Sequence, residues 1–231
     1  MEQTKTSYQV SFYYTLLTSI LIVATVIDVF LELKIISILG IEFTTGAFIF
    51  PLVYIADDCI SEIYGYKRAI QTMWLTLCIN TMSVLIFQLA CWIPSVEYWE
   101  LNTAFNNIFS MAPRLYCASV LSIIVGSVLN STVLTKMKVM SSGKYFKLRA
   151  ILSSMIGRIF EISTFFILSY AGYYEFNVIG TLILNTWLLG ILYELIILPF
   201  TERIVTYIKN KEGIDYFDTN TNYNPLLVFN K

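Results

Sequence analysis

Six stretches of this chain, at 11–33, 44–63, 69–93, 112–135, 149–171 and 178–204, stay apolar long enough to cross the roughly 30 Å of a bilayer's hydrocarbon core. No water reaches that core, so each backbone N–H and C=O must be satisfied within its own segment, and such runs fold as helices. The fold class this predicts is an all-α integral membrane protein with six transmembrane helices. Composition agrees, with 57% of the 231 residues hydrophobic and 13% charged, against about 25% charged in soluble domains. Gly46 and Pro51 interrupt the second run, which predicts a broken second helix lining a cavity. The first run lacks a clear small-residue cleavage site and reads as a span, not a removed signal peptide.

Basic residues set the orientation. Lys5, Lys67 with Arg68, the group Lys136, Lys138, Lys144, Lys147 and Arg149, and then Arg203, Lys209 and Lys211 fall on alternate connections. Glu42, Glu97, Glu100 and Glu175 fall on the opposite ones, with Lys34 the lone basic residue there. By the positive-inside rule both termini are cytoplasmic. Residues 1–210 then form one transmembrane domain, and 211–231 a polar cytoplasmic tail too short for a second one.

The charges within the spans carry the functional information. The stretch "FPLVYIADDCISEIYGYKRA", 50–69, holds Asp57, Asp58 and Glu62. One charged side chain at a bilayer centre costs roughly 2.5–3.5 kcal/mol, so three need partners. Asp58 and Glu62 are one turn apart on a shared helix face, with Asp57 rotated away by about 100° and more peripheral. Glu62 has two roles open to it, in an interior site or in a pair with Lys67 or Arg68 at the span's end. Ser154, Arg158, Glu161 and Thr164 share a face of the fifth span, and Arg158 could pair locally with Glu161. Polar stripes recur as Thr18, Thr25, Asp28 and Glu32 in the first span, Trp74, Cys78, Thr81 and Gln88 in the third, and Ser119, Ser122, Gly126 and Asn130 in the fourth. Packed together they enclose a polar interior, although Ser119, Ser122 and Gly126 also suit plain helix packing, and Asp28, Glu32 and Glu194 lie near enough to span ends to be solvated. Arg114 and Arg158 are the counter-charges.

Other chemistry is excluded or weak. The four cysteines lie in apolar segments without CxxC spacing, and the chain has no histidine, so neither a zinc site nor any other metal or cofactor is expected. The thiols read as small buried hydrophobes, with a Cys91–Cys117 disulfide as the alternative. An intramembrane hydrolase could use paired aspartates, but no GxGD-like segment or serine–base pair is present, and no catalytic residue is assigned. A substrate-binding subunit of an ATP-driven importer is a second alternative; the chain has no Walker A motif, so ATP would act through partner chains.

In order and spacing, four blocks resemble the queuosine precursor transporters, also called the VUT family: "FPLVYIADDCISEIYGYKRA" through Asp58, Glu62, Tyr64 and Gly65; "PRLYCAS" followed by "LNS" through Arg114, Ala118, Ser119 and Asn130; "SSMIGRIFEISTFF" through Gly157 and Glu161; and the ending "EGIDYFDTNTNYNPL". Glu161 stands where that family usually has aspartate, and no basic residue lies near Gly190, where many members have one. The resemblance implies uptake of a 7-deazaguanine base (7-cyano-7-deazaguanine, 7-aminomethyl-7-deazaguanine or queuine) by a multi-pass protein of a bacterial cell inner membrane. The implied partners are that small molecule and the lipid bilayer, with no nucleic acid; a homodimer is compatible. The residue chemistry agrees, because a carboxylate can accept the adjacent N–H and amino donors of a guanine-type edge while arginine donates to O6. Asp58, Glu62, Arg114, Arg158, Glu161 and Asn130 are the polar candidates, and Phe50, Tyr54 and Trp74 the stacking platforms. No motif separates facilitated from ion-coupled passage.

Overall fold

The computed structural model describes residues 11–31, 34–38, 41–109 and 112–229; Lys5 and Glu32 lie outside the described residues. The chain is a helical, multi-pass membrane protein. Helix α1 (Phe12–Leu31) leads into a hairpin of β1 (Ile35–Ile38) and β2 (Ile41–Thr44), antiparallel with Ile35 opposite Thr44 and Ile38 opposite Ile41. A 3-10 turn, Thr45–Phe48, follows, then α2 (Phe50–Tyr64), α3 (Tyr66–Trp92), the short α4 (Asn102–Phe109), α5 (Ala112–Met140), α6 (Phe146–Tyr170) and α7 (Phe176–Glu212). Among the described residues, five helical segments are long and apolar enough to cross a membrane: Phe12–Leu31, Tyr66–Trp92, Asn102–Met140, Phe146–Tyr170 and Phe176–Glu212.

The expected break in the second helix is not found. Pro51 lies in the first turn of α2, where its missing N–H is harmless, and α2 continues unbroken to Tyr64. Gly46 precedes the helix, in the 3-10 turn. Helix α2 has only 15 residues, about 22 Å, and falls short of bilayer thickness. The apolar segment built from two helical pieces is the third of the five, which comprises α4 and α5.

Gly65 makes the corner between α2 and α3 with φ 82°, a left-handed conformation that a side chain would strain. A Cβ there would also strike the Tyr216 ring and come within 2.9 Å of Asp218 Oδ2, because residues 213–229 fold back over this corner. The Tyr66 N–H donates to Asp218 Oδ2 (3.0 Å), the Tyr66 hydroxyl to the Tyr223 carbonyl (2.8 Å), and Val228 is buried against Tyr66, Ile70, Met73 and Leu77. The tail is thus a strap across one end of the bundle. At the other end Phe30, Phe87, Phe105 and Phe109 form an aromatic cluster that docks α4, with Phe87 and Phe109 stacked at 4.6 Å.

Helices α5 and α6 pack closely through two glycines. A Cβ on Gly157 would lie 2.9 Å from Asn130 Cβ and 3.0 Å from the Gly126 carbonyl, and one on Gly126 would lie 2.7 Å from Glu161 Cβ. This small-residue crossing sets Asn130 and Glu161, each one turn beyond a glycine, on the interior side. The polar stripe expected on α3 is displaced. Thr72, Thr76 and Asn80 are its buried polar residues, while Cys78 is exposed. All four cysteines are free thiols, so the alternative Cys91–Cys117 bond is not formed.

Candidate functional site

Two chambers meet at Tyr54 and Arg158, which line both. The larger, of about 750 Å³, lies between α2, α6, α7 and the hairpin, and is lined by Phe50, Tyr54, Asp58, Arg158, Tyr193 and Glu194 among mostly apolar neighbours. The second, of about 540 Å³, lies on the other side of α2 and is lined by Asp57, Thr76, Asn130, Ser154 and Glu161. A third, of about 660 Å³, continues past Glu161 to Asp28, Ser119 and Ser122.

Arg158 is the hub. Its guanidinium carbon sits 3.5 Å from the centre of the Tyr54 ring, Nη2 is 3.2 Å from Glu194 Oε2, and Nη1 donates to the Gly190 carbonyl. A Cβ at Gly190 would meet that Nη1 at 2.9 Å, so the glycine makes room for the guanidinium. Positive charge therefore reaches α7 at Gly190 from α6, although α7 carries no basic residue there. The local Arg158–Glu161 pair does not form. Glu161 Oε2 accepts the Tyr54 hydroxyl at 3.1 Å, while Arg158 turns toward Glu194. Glu194 is buried and does not reach water at a span end as expected; it lies well inside α7, with apolar residues on both sides. On the opposite wall the Asn130 amide nitrogen donates to both Asp57 Oδ2 (3.2 Å) and Asp58 Oδ1 (3.1 Å). The Phe50 and Tyr54 rings stack at 5.5 Å and 21° to each other, one turn apart on α2.

Of the residues expected from sequence, Asp58, Arg158, Glu161, Asn130, Phe50 and Tyr54 come together around these chambers. Three do not. Glu62, one turn beyond Asp58, is enclosed by cations: Arg149 Nη1 at 2.7 Å and Nη2 at 3.1 Å, Lys209 Nζ at 2.7 Å and Lys138 Nζ at 3.8 Å. Lys138 and Lys209 also hold Asp215 of the strap, at 2.5 and 2.9 Å. The partners anticipated from sequence, Lys67 and Arg68, are not the ones that hold it. Arg114 donates to the carbonyls of Leu168 and Ala171 and lies over the Tyr173 ring, capping the C-terminal end of α6. The Trp74 indole donates to the Pro225 carbonyl (2.9 Å) and belongs to the strap contacts. Asp57 and Glu194 are the chamber residues that sequence reasoning underrated. An isolated acid flanked by apolar residues in a long span was the available signal for Glu194.

The family model described as "Putative vitamin uptake transporter" matches residues 44–204. The chain belongs to that family. It is accordingly a membrane transporter and not a catalyst. A relative named "Probable queuosine precursor transporter", from Bacillus subtilis (strain 168), is 26% identical over 186 residues, which covers 78% of this chain and 79% of the relative. No solved structure matches the chain. The matched stretch of this VUT-family chain contains Asp57, Asp58, Asn130, Arg158, Glu161 and Glu194, whereas Lys209, Asp215 and the strap lie beyond it.

Proposed function

We propose that this protein takes up a 7-deazaguanine queuosine precursor across a bacterial inner membrane, and that the base binds in the larger chamber. The observation that carries this reading is the grouping of Asp58, Arg158 and Glu194 around the stacked Phe50 and Tyr54 rings in a mostly apolar chamber. A carboxylate of this set accepts the base's ring N–H and exocyclic amine, Arg158 donates to O6, and the aromatic pair takes the flat face. A cationic aminomethyl substituent would find the remaining carboxylate. The relative's name supports the same substrate class.

In this reading the membrane is crossed six times, with both termini in the cytoplasm. Helix α2 together with the 3-10 turn before it would supply the sixth crossing, about 22 Å plus about 8 Å. The convergence of Lys138, Arg149 and Lys209 on Glu62 supports one shared basic face, beneath the strap.

The test is uptake into cells unable to make queuosine, read as queuosine in tRNA. Asp58→Asn replaces an acceptor by a donor facing the base's donors, an unmatched pair that costs about 1–3 kcal/mol, or one to two decades of affinity. Uptake at low substrate should fall accordingly while membrane abundance holds. Unchanged affinity in purified Asp58→Asn protein would remove Asp58 from the site. Failure of the wild-type protein to restore queuosine with any of the three bases would end the substrate assignment.

A further inference from the structure

Four carboxylates, those of Asp57, Asp58, Glu161 and Glu194, line the two chambers, and Arg158 is the one cationic side chain lining them among the described residues. Fully ionised, the set would hold an excess of three negative charges at membrane depth, and even a cationic aminomethyl base offsets only one of them. Positive charge must therefore reside there for part of the cycle.

The place for it is the second chamber. Arg158 is engaged by Glu194, Gly190 and the Tyr54 ring, so it does not neutralise Asp57. Glu161 has the Tyr54 hydroxyl. Asp57 has the Asn130 amide nitrogen, which it shares with Asp58. Two further oxygens lining the same chamber, Asn130 Oδ1 and Thr76 Oγ1, have no hydrogen-bond partner, on residues that are 4% and 1% exposed, and the Ser154 hydroxyl, which also lines it, is shared with Glu194. Buried polar atoms are seldom left unmatched. An amide oxygen, two hydroxyls and a carboxylate form a hard, all-oxygen set, the donor type that small hard cations take. With one carboxylate among its donors, the set carries a single negative charge and suits a single positive charge rather than a divalent one.

We propose that Asp57, Asn130, Ser154 and Thr76 form a coupling site for a small monovalent cation, a sodium ion or a proton, separate from the chamber that takes the base. The proposal rests on the transport reading above. The groups facing Asp57 are Tyr54 and Asp58 on its own helix, Thr25 on α1, Thr76 on α3, Asn130 on α5, and Ser154, Arg158 and Glu161 on α6; Glu194 of α7 faces Asp58 from the neighbouring chamber. Asn130 supplies the linkage. Its one amide nitrogen serves Asp57 on the cation side and Asp58 on the base side, so neutralising Asp57 alters the hydrogen bonding that presents Asp58 to the base. By reciprocity, base binding then changes cation affinity by the same factor.

The test uses purified full-length protein in proteoliposomes with labelled 7-aminomethyl- or 7-cyano-7-deazaguanine. Three arms are compared: an inward sodium gradient without a pH gradient, an inward proton gradient without sodium, and neither. A one-to-one coupling ion at a tenfold gradient should drive accumulation of up to about tenfold, and the arm that does so names the ion. Asp57→Asn should lose that accumulation. Base that equilibrates but never accumulates in either gradient arm overturns the proposal, as does Asp57→Asn accumulating like the wild type. If no base crosses even in counterflow, the substrate reading fails instead, and the site is judged from melting of the purified protein in sodium against choline chloride and across pH. A sodium- or acid-dependent shift that disappears in Asp57→Asn supports the cation site, and the absence of any shift in the wild type refutes it.

Discussion

Glu62→Gln should damage the fold before it damages substrate binding. The Glu62 carboxylate, 1% exposed, takes two hydrogen bonds from Arg149, itself 1% exposed, and one from Lys209, with Lys138 slightly further away. The cluster opposes Lys138, Arg149 and Lys209 with Glu62 and Asp215; the amide leaves three cations facing Asp215 alone. Breaking a buried pair by removing one partner costs about 3–5 kcal/mol, a large part of the roughly 5–15 kcal/mol that holds a domain together. At about 2–4 °C per kcal/mol, the melting midpoint should fall by roughly 10 °C, with lower membrane abundance. Fluorescence-detected size-exclusion melting of detergent-solubilised protein reads both quantities. Adding Arg149→Met removes a stranded guanidinium and should recover part of the loss, a non-additivity that two independent sites would not show. Unchanged melting and abundance together with a selective loss of base affinity would refute the reasoning and return Glu62 to the substrate site.

Gly157→Ala should destabilise by about 1–3 kcal/mol, because its Cβ would press on Asn130 Cβ and the Gly126 carbonyl, which can yield only if α5 and α6 separate. Gly180→Ala, with nothing within 4 Å of its Cβ, is the melting control and should be neutral or mildly stabilising. The strap should loosen in acid. Burial raises the Asp215 carboxyl, but hydrogen bonds from Lys138 and Lys209 outweigh this and hold it below its ordinary value. A lowered folded pKa means the stabilisation is fully present above the unfolded value, near 3.9, and is lost as pH falls through the folded one. Protease sensitivity of the tail should therefore rise below about pH 4, and Asp215→Asn should show the loosened state already at neutral pH.

Hydropathy made five of the helices legible because lipid imposes length and apolarity on every spanning segment, whatever its tertiary partners. Helix α2 was harder: its apolar run begins at Thr44, the last residue of β2, and takes in the 3-10 turn, and apolar character alone does not separate those from helix. Within the site, Asn130, Arg158 and Glu161 line one chamber because helical periodicity sets each on the interior face of its helix. Choosing among partners was another matter. Glu62 and Arg149 are 87 residues apart, and Arg158 had Glu161 three positions away yet pairs with Glu194 on α7. Local spacing favours the near partner, whereas packing of α6 on α7 at Gly190 selects the far one. The strap has no periodicity to betray it; it is held by single carboxylates and carbonyls meeting Lys138, Tyr66 and Trp74.

Because residues 213–229 follow every helix in synthesis, the strap cannot form until all of them have left the ribosome. Until then Lys138 lacks the Tyr216 carbonyl and Asp215, the Tyr66 N–H lacks Asp218, and the apolar face around Ile70 and Met73 lacks Val228. Glu62 emerges earlier still: two more membrane segments are translated before Arg149 arrives, and a third and most of a fourth before Lys209 does. Without the strap those charged and polar groups have water as their remaining partner, so this end of the bundle closes last.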